Sequence, residues 1–535
     1  MPDELTLHPF LWRATHLAGD TSVVCRTPDG MHRYTYTAFG ERVRLLAGAL
    51  QARGIGPGDR VATLGWNTHQ HLECYYAVPL IGAQLHTINL RLSPETIGYI
   101  IEDAEDRLLF AAADAAGTLA SIEDSLQTVT ETVWLDATAG DDVPGETYEE
   151  LLSSATPIET WPQLSEDLPA GMCYTSGTTG RPKGVEYTHR MIYVHAMTVM
   201  TPASLNISPE DVVMPVVPMF HVNSWEFPYA VTMAGAKQVY PGVSPTPEDL
   251  ISLIAREGVT LTAGVPTVWI DVLEALDPSS DALESLDRII VGGSAAPTGV
   301  MRRYRDEHDV TIEHAWGMTE TMSIGSVGRD RTGDAEPFVR ASKQGHLTPG
   351  MRMRVIADGD DIPWDGESVG ELLVRGPNVV DSYHAKAGET AFLEDEHGRW
   401  LRTGDIVTVD SDGTLTVVDR VKDVIKSGGE WISSIALENT LMELPEIAEA
   451  VVVGSPHARW QERPVAFVVP SSGAGVEVDR VRSMLEAEFP RWWLPDDIII
   501  RSEVPKTATG KFDKRSLRPA AAESDLPFTP GETDT

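Results

Sequence analysis

The chain has 535 residues, too many for one ordinary core, and predicts a large domain with at least one smaller one. Eighty Asp and Glu against 42 Lys and Arg leave a formal net charge of −38, which makes nucleic acid an unfavourable partner. No stretch approaches the ~18 uninterrupted apolar residues of a membrane span, and the N-terminal MPDELTLHPFLWRATHLAGD lacks a basic segment followed by an apolar one, so a cytoplasmic protein without an integral membrane segment is expected.

From about Asp59, short β-branched runs alternate with helical patterns: VATLGW, a helix to Ile81, QLHTINL, SPETIGYIIEDA and RLLFAA. Between a strand at Gly171 to Tyr174 and a helix starting near Thr188 lies YTSGTTGRPKGV, residues 174–185. Its glycines at 177, 180 and 184 permit tight turns that bring backbone N–H groups close to a polyanion. Thr175, Ser176, Thr178 and Thr179 add neutral donors, and Lys183 adds a point charge. The common P-loop is excluded, because Lys183 follows Pro182 and precedes Gly184 instead of Ser or Thr. Such a string reads either as a phosphate cradle or as a plain Ser/Thr/Gly turn.

The alternation continues through DVVMPVV, AKQVY, VTLTAGV, DRIIVGG and VTIEHAW, which predicts an α/β domain with largely parallel strands. From about Gly370 the strands GELLVRG, DIVTVD and GTLTVVD crowd together and predict a smaller β subdomain. After Arg420 come a helix near Ser434 to Leu444, the strands EAVVVGS and PVAFVVP, a helix near Val478 to Glu488 and the strand DIIIR, a compact α+β unit. AAAESDLPFTPGETDT, from Ala520, is polar and aperiodic and predicts a disordered acidic tail.

Cys25, Cys74 and Cys173 are far apart and show no metal-ligand or redox spacing; Cys173 reads as a small strand residue. Only nine of the basic residues are lysine, and six of the nine fall around 183, 422–426 and 506–514. A chain that avoids surface lysine keeps it where chemistry needs an ammonium group. The acidic, lysine-poor composition resembles that of salt-adapted proteins.

The 174–185 string is followed in order by GGSAAP (292–297), HAWGMTET (314–321), RTGDI (402–406), DRVKDVIKSGGEWISS (419–434) and PKTATGK (505–511). Together they resemble the acyl-adenylate-forming enzymes over roughly residues 20 to 518. The resemblance implies activation of a carboxylic acid by ATP with Mg²⁺, then transfer of the acyl group to CoA. Thr175, Ser176, Gly177, Thr178, Thr179, Gly180 and Lys183 would clamp the β- and γ-phosphates, with Thr178 also near the metal. Gly293, Ser294, His314, Ala315, Trp316 and Gly317 would surround the adenine, which Trp316 would stack upon. Thr319 would contact the α-phosphate and Glu320 would bind Mg²⁺, a task that suits a carboxylate sharing a hard cation with phosphates. Asp405 would accept both ribose hydroxyls, and Arg420 would also touch the ribose. Lys511 would bridge the acid's carboxylate and the α-phosphate. The small domain would then rotate about Lys422, bringing Lys426, Gly428, Gly429 and Trp431 to the CoA side. The implied division is an AMP-binding domain over 1–419, a hinge at 420–422, a C-terminal domain over 423–519 and the tail over 520–535.

PMFHVNSWEFPY, residues 218–229, lacks the aspartate with which related peptide-synthetase domains hold an amino group, and the chain ends soon after Lys511 without a carrier domain. An amino acid is thus disfavoured, and free CoA is the expected acceptor. This segment, with KSGGEWISS and HARWQERP, looks most like medium- and long-chain fatty acyl-CoA synthetases. In those, the counterpart of His221 lies between the acyl and CoA channels and the counterpart of Trp225 can close the acyl tunnel; a buried helical aromatic is the alternative for Trp225. Val265, Pro266 and Thr267 would line the acyl pocket. A fatty acid–CoA ligase is the main reading; a ligase for a short substituted acid such as methylthiopropionate, and a luciferase-like oxygenase, are the alternatives. The expected partners are a small carboxylic acid and CoA, with a homodimer as the candidate assembly.

ATP and CoA are polyanions, so the chain's long-range field opposes their approach. At about 1 M salt the Debye length falls to roughly 3 Å and only nearby cations matter. Activity and thermal stability are therefore expected to rise steeply with KCl up to molar concentrations; full activity in dilute buffer would show the acidic composition to be incidental.

Overall fold

The computed structural model describes residues 3–137, 143–175, 181–277, 280–329, 340–386, 389–428, 430–471, 475–507 and 511–522. The expected α/β architecture is present, with two large, mainly parallel sheets, a smaller antiparallel sheet and a separate C-terminal α+β unit. From edge to edge the nine-stranded sheet runs His346–Leu347, Ser326–Gly328, Thr311–Trp316, Arg288–Val291, Leu261–Gly264, Val212–Pro215, Lys237–Tyr240, Ser22–Thr27 and Gly30–Thr35. Its six central strands are parallel, and the antiparallel pairs lie at its two edges. The seven-stranded sheet runs Glu146–Thr147, Glu131–Trp134, Leu108–Ala111, Arg60–Leu64, Gln84–Thr87, Pro169–Tyr174 and Gly184–Thr188, and only its last pair is antiparallel.

The helices start and stop where local chemistry says they should. Pro247–Glu257 opens on Thr246, whose hydroxyl accepts from the Asp249 N–H while the Asp249 carboxylate accepts from the Thr246 N–H, and it closes on Gly258 at φ +66°. Its Leu250, Leu253 and Ile254 are buried on one face, the spacing of an amphipathic helix. The largest buried apolar cluster joins the two big sheets, with Val23, Val213 and Leu261 from one and Val61, Leu85 and Val185 from the other meeting Phe39, Tyr75 and Tyr229. Cys173 is a buried strand residue within it.

Six antiparallel strands between Arg352 and Arg420 form the β subdomain, built around Gly370–Arg375 and the long strand Gly398–Val409. With four residues between it and Arg420, the strand Ile425–Ser427 already belongs to the five-stranded C-terminal sheet, whose long hairpin is Ile447–His457 with Gln461–Pro470. No helix among the described residues is long and apolar enough to cross a membrane.

Four features depart from the sequence reading. An N-terminal hairpin, Ser22–Thr27 with Gly30–Thr35, extends the nine-stranded sheet. A strand, Gly184–Thr188, precedes the helix His189–Val199 and pairs back on Pro169–Tyr174. The helix expected to Leu444 ends at Leu441. The onset of the tail at Ala520 is corrected: the helix Lys514–Ala522 runs through it, with Leu517 and Ala521 buried against Val451 and Phe467. Alanine favours the helix, and one apolar face suffices to anchor it.

Candidate active site

A cavity of about 710 Å³ opens where strands of the nine-stranded sheet end and the C-terminal unit comes over them. Strand Arg288–Val291 delivers Gly292 and Gly293 to its wall, and strand Thr311–Trp316 delivers Gly317, Thr319 and Glu320. Ligand crevices lie at the carboxyl ends of parallel strands for this reason: the loops there converge. Thr175 and Lys183 enter from the seven-stranded sheet, tied by Thr175 N–H to the Lys183 carbonyl at 2.9 Å and Lys183 N–H to the Thr175 hydroxyl at 3.3 Å. The β subdomain adds Asp405 and Arg420, directly opposite one another on paired strands. Lys511 enters from the C-terminal unit, on a loop closed by Thr507 N–H to the Lys511 carbonyl at 2.6 Å and Asp513 N–H to the Pro505 carbonyl at 2.8 Å.

Lys511 reaches so far that a Cβ on Gly293, which has φ +88°, would lie 2.9 Å from its Cε and 3.4 Å from its Nζ. The positive φ favours glycine there, and a side chain would also push the Lys511 ammonium aside. Burial, then the Arg420 guanidinium and the Lys422 ammonium, push the Lys511 pKa down to about 7, against the opposing pull of Asp405. Burial and the Lys511 charge push His221 down to about 3, so its imidazole is neutral. Glu320 is buried and its pKa is raised by that burial, although Tyr383 donates to Oε1 at 2.6 Å. The same Tyr383 ring lies 5.0 Å beneath the Lys183 ammonium, a cation–π contact. No group of three His, Cys, Asp or Glu among the described residues could hold a metal by itself. Glu320, a buried carboxylate in a cavity rich in cations, instead fits a magnesium ion shared with phosphate oxygens.

His221 introduces an unusual backbone. Val222, Asn223, Ser224, Trp225 and Glu226 all have positive φ, from +44° to +63°, and make one left-handed helical turn. Each such non-glycine residue costs about 1–2 kcal/mol, so the surroundings must over-determine the turn. Asn223 accepts from the Thr87 hydroxyl at 3.2 Å and the Cys173 thiol at 3.3 Å, and donates to Glu226 at 3.2 Å. Ser224 donates to the Val217 carbonyl at 2.7 Å. Glu226 is wholly buried, and burial raises its pKa well above the usual carboxylate range, disfavouring its charged form. The turn sets the Trp225 indole against Gly292, where a Cβ would stand 3.0 Å from the ring. Trp225 is thus a buried aromatic that lines the cavity, on a left-handed turn instead of a regular helix.

Thr175, Lys183, His221, Trp225, Gly293, Ala315, Gly317, Thr319, Glu320, Asp405, Arg420, Lys422 and Lys511 therefore share one cavity. Ser176, Gly177, Thr178, Thr179, Gly180 and Gly429 lie outside the described residues. Ser294 and His314 are not in the cavity wall; the His314 imidazole donates to the Ser294 carbonyl at 3.2 Å and so braces the loop that begins at Gly292. Trp316 is not in the cavity wall: its ring packs with Leu372, Val374 and Leu401 in the β subdomain core, and its indole N–H donates to Asp405 at 2.8 Å. Val265, Pro266 and Thr267 all lie outside the wall; a Cβ added at Gly293 would stand 3.4 Å from Val265, and Pro266 and Thr267 begin the helix that follows. Lys426, Gly428 and Trp431 sit away from the cavity on an exposed hairpin. Arg402, Tyr383 and Asn223 went unassigned in the sequence: Arg402 adjoins the TGD segment, but nothing local marks the other two.

The AMP-binding enzyme family model matches residues 10–384, and the AMP-binding enzyme C-terminal domain model matches residues 436–511. A long-chain-fatty-acid–CoA ligase of Thermus thermophilus is 42% identical over 526 residues, covering 97% of this chain and 96% of the relative. A 3-methylmercaptopropionyl-CoA ligase of Ruegeria lacuscaerulensis is 39% identical, covering 97% of each chain. A medium-chain-fatty-acid–CoA ligase of Ectopseudomonas oleovorans is 39% identical, covering 97% of this chain and 96% of its own. The crystal structure of the anthranilate CoA ligase AuaEII with anthranoyl-AMP shares the fold at a TM-score of 0.87 and 24% identity, covering 97% of this chain and 98% of that one.

With the Lys511 pKa depressed to about 7, a polyanion entering the cavity raises it and draws in a proton. Nucleotide binding is expected to take up a growing fraction of a proton from about pH 7 to about pH 9, read from calorimetric enthalpies in buffers of different ionisation enthalpy. The uptake should vanish in Lys511→Met; its persistence would place the titrating group elsewhere.

Proposed function

The chain belongs to the AMP-binding enzyme family, and from that premise we propose that it joins a medium- to long-chain fatty acid to CoA at the expense of ATP. The observation that carries this reading is Lys511 standing against Gly293 in the same cavity as Glu320 and Asp405. Activation requires a carboxylate oxygen to attack the α-phosphorus while the bond to the β-phosphate oxygen breaks and pyrophosphate departs. Nucleophile and target are both anionic, so fixed cations that meet between them lower the barrier. Lys511 would bridge the two, Thr319 would donate to the α-phosphate, Asp405 and Arg420 would hold the ribose, and Lys183 with its loop would orient the pyrophosphate. Glu320 would hold a magnesium ion together with the phosphates, and the ion would supply charge neutralisation there.

In the second half-reaction the CoA sulfur attacks the acyl carbon and AMP leaves. CoA needs the space that Lys511 fills, so the C-terminal domain would turn about residues 420–422, withdrawing Lys511 and bringing Lys426, Gly428, Gly429 and Trp431 forward. His221, neutral and beside the cavity, offers a polar contact that does not compete with these cations for the phosphates. The similarity to a 3-methylmercaptopropionyl-CoA ligase supports a second reading, a short thioether acid as substrate.

The test is AMP release in molar KCl with acids from acetate to stearate and with 3-methylthiopropionate, each with and without CoA. Release that grows with fatty chain length and needs CoA for turnover is expected; a maximum at 3-methylthiopropionate would favour the second reading, and release indifferent to the acid would overturn both. Lys511→Ala is expected to slow acid-dependent pyrophosphate exchange by about a hundredfold or more, yet leave CoA attack on supplied acyl-adenylate within about twofold. Equal loss in both would remove Lys511 from its assigned role.

A further inference from the structure

Lys514 is one of the nine lysines, three residues beyond Lys511, and it does not reach the cavity. It opens the helix Lys514–Ala522, and its ammonium donates to the Ser434 hydroxyl at 2.5 Å and to Glu438 at 2.8 Å. Ser434 passes the contact on: its hydroxyl and its N–H donate to one oxygen of Asp419 at 2.6 and 2.8 Å. Asp419 lies on the other side of residues 420–422, in the last strand of the β subdomain, and its second oxygen accepts from the Arg420 N–H at 2.8 Å. Ser433 adds a bond across the same boundary, from its hydroxyl to the Val418 carbonyl at 2.5 Å. One turn along the helix from Lys514, Arg518 grips the linker itself, donating to the Lys422 carbonyl and to Asp423 at 3.1 Å.

This arrangement is costly unless complete. Asp419 is 1% exposed and Ser434 is fully buried, and the Lys514 and Glu438 side chains are 14% and 9% exposed. Burial opposes the charge on Lys514, but Glu438 and Asp419 outweigh it and keep the ammonium protonated. Buried charges of this kind are weak evidence for stability, but removing one partner leaves the others uncompensated, and here the partners are all satisfied in this one arrangement. The helix that carries Lys514 is packed on Val451, Val453 and Phe467, so the chain between Lys511 and that helix has little freedom of its own. Where the ammonium of Lys514 is held, the position of Lys511 is held as well.

We propose that Lys514 is a positioning residue for the first half-reaction: through Ser434 it latches the C-terminal domain to Asp419, fixing the arrangement that puts Lys511 in the cavity, and the latch parts before CoA attacks. The proposal rests on the two-step reading above and adds to it what holds the first arrangement. Breaking the latch therefore slows adenylation and spares thioester formation, whereas a residue that merely supports the fold would affect both.

The test compares wild type with Lys514→Met, Lys514→Arg and Ser434→Ala in molar KCl. Ser434→Ala removes the relay without deleting a buried charge, and serves where Lys514→Met does not fold. Acid-dependent pyrophosphate exchange is expected to fall about tenfold or more in Lys514→Met and Ser434→Ala, while CoA attack on supplied acyl-adenylate stays within about twofold and Lys514→Arg retains most of the exchange. A second readout needs no turnover: spin labels at Asp124→Cys and Glu488→Cys, exposed sites on opposite sides of the linker, report the interdomain distance. The wild type should give one narrow distribution, and the latch variants a second population. An unchanged distribution, or equal slowing of both half-reactions, overturns the latch. If wild type shows no acid-dependent exchange, the two-step reading fails, and the distance measurement alone decides whether Lys514 fixes the domain.

Discussion

Like charges repel, yet among the described residues six cationic side chains, Arg181, Lys183, Arg402, Arg420, Lys422 and Lys511, line one cavity beside three carboxylates. The rest of the molecule keeps them there. Arg402 is paired with Glu371, Arg420 lies 3.4 Å from Asp405, and Lys183 rests over the Tyr383 ring. Among the described residues Lys511 has no such partner at hand, and its pKa is depressed first by burial and then by the neighbouring Arg420 and Lys422. In a chain of net charge −38, this positive pocket is a local inversion of the global field, and it only makes sense for a ligand that brings negative charge of its own.

That requirement explains why the cavity is built from separate parts of the chain. Two glycine-bearing strand ends supply close approach, the β subdomain supplies Asp405 and Arg420, and the C-terminal unit supplies Lys511. A single rigid wall carrying all six cations would pay their repulsion permanently. Lys511 instead stands on a separate unit, joined to the β subdomain by the four residues 421–424.

Much of this was legible in the sequence, and for a physical reason. Parallel strands buried on both faces read as continuous apolar runs, so the central strands of both large sheets stand out, and lysine scarcity singles out Lys183, Lys422 and Lys511. What was hidden depends on long-range packing. Gly184–Thr188 is a short, half-polar strand that exists only because Pro169–Tyr174 offers an edge. The bond from the Trp316 indole N–H to Asp405, 89 residues away, had no local mark either. The N-terminal hairpin was signalled by the turn residues Thr27-Pro28-Asp29-Gly30, but its strands are partly polar and lie at a sheet edge. The left-handed turn has no local mark at all, since Val, Asn, Ser, Trp and Glu favour right-handed backbone, and only Asn tolerates the other hand with ease.

The turn divides its labour between side chains. Asn223, Ser224 and Glu226 face inward and hold its shape, while His221, Val222 and Trp225 face the cavity and leave that shape alone. The cavity-facing positions can therefore vary through evolution, or in the laboratory, without dismantling the scaffold beneath them. A changed ring at position 225 would reshape the cavity, and the cost of the unusual backbone, met once in the core, would not have to be met again.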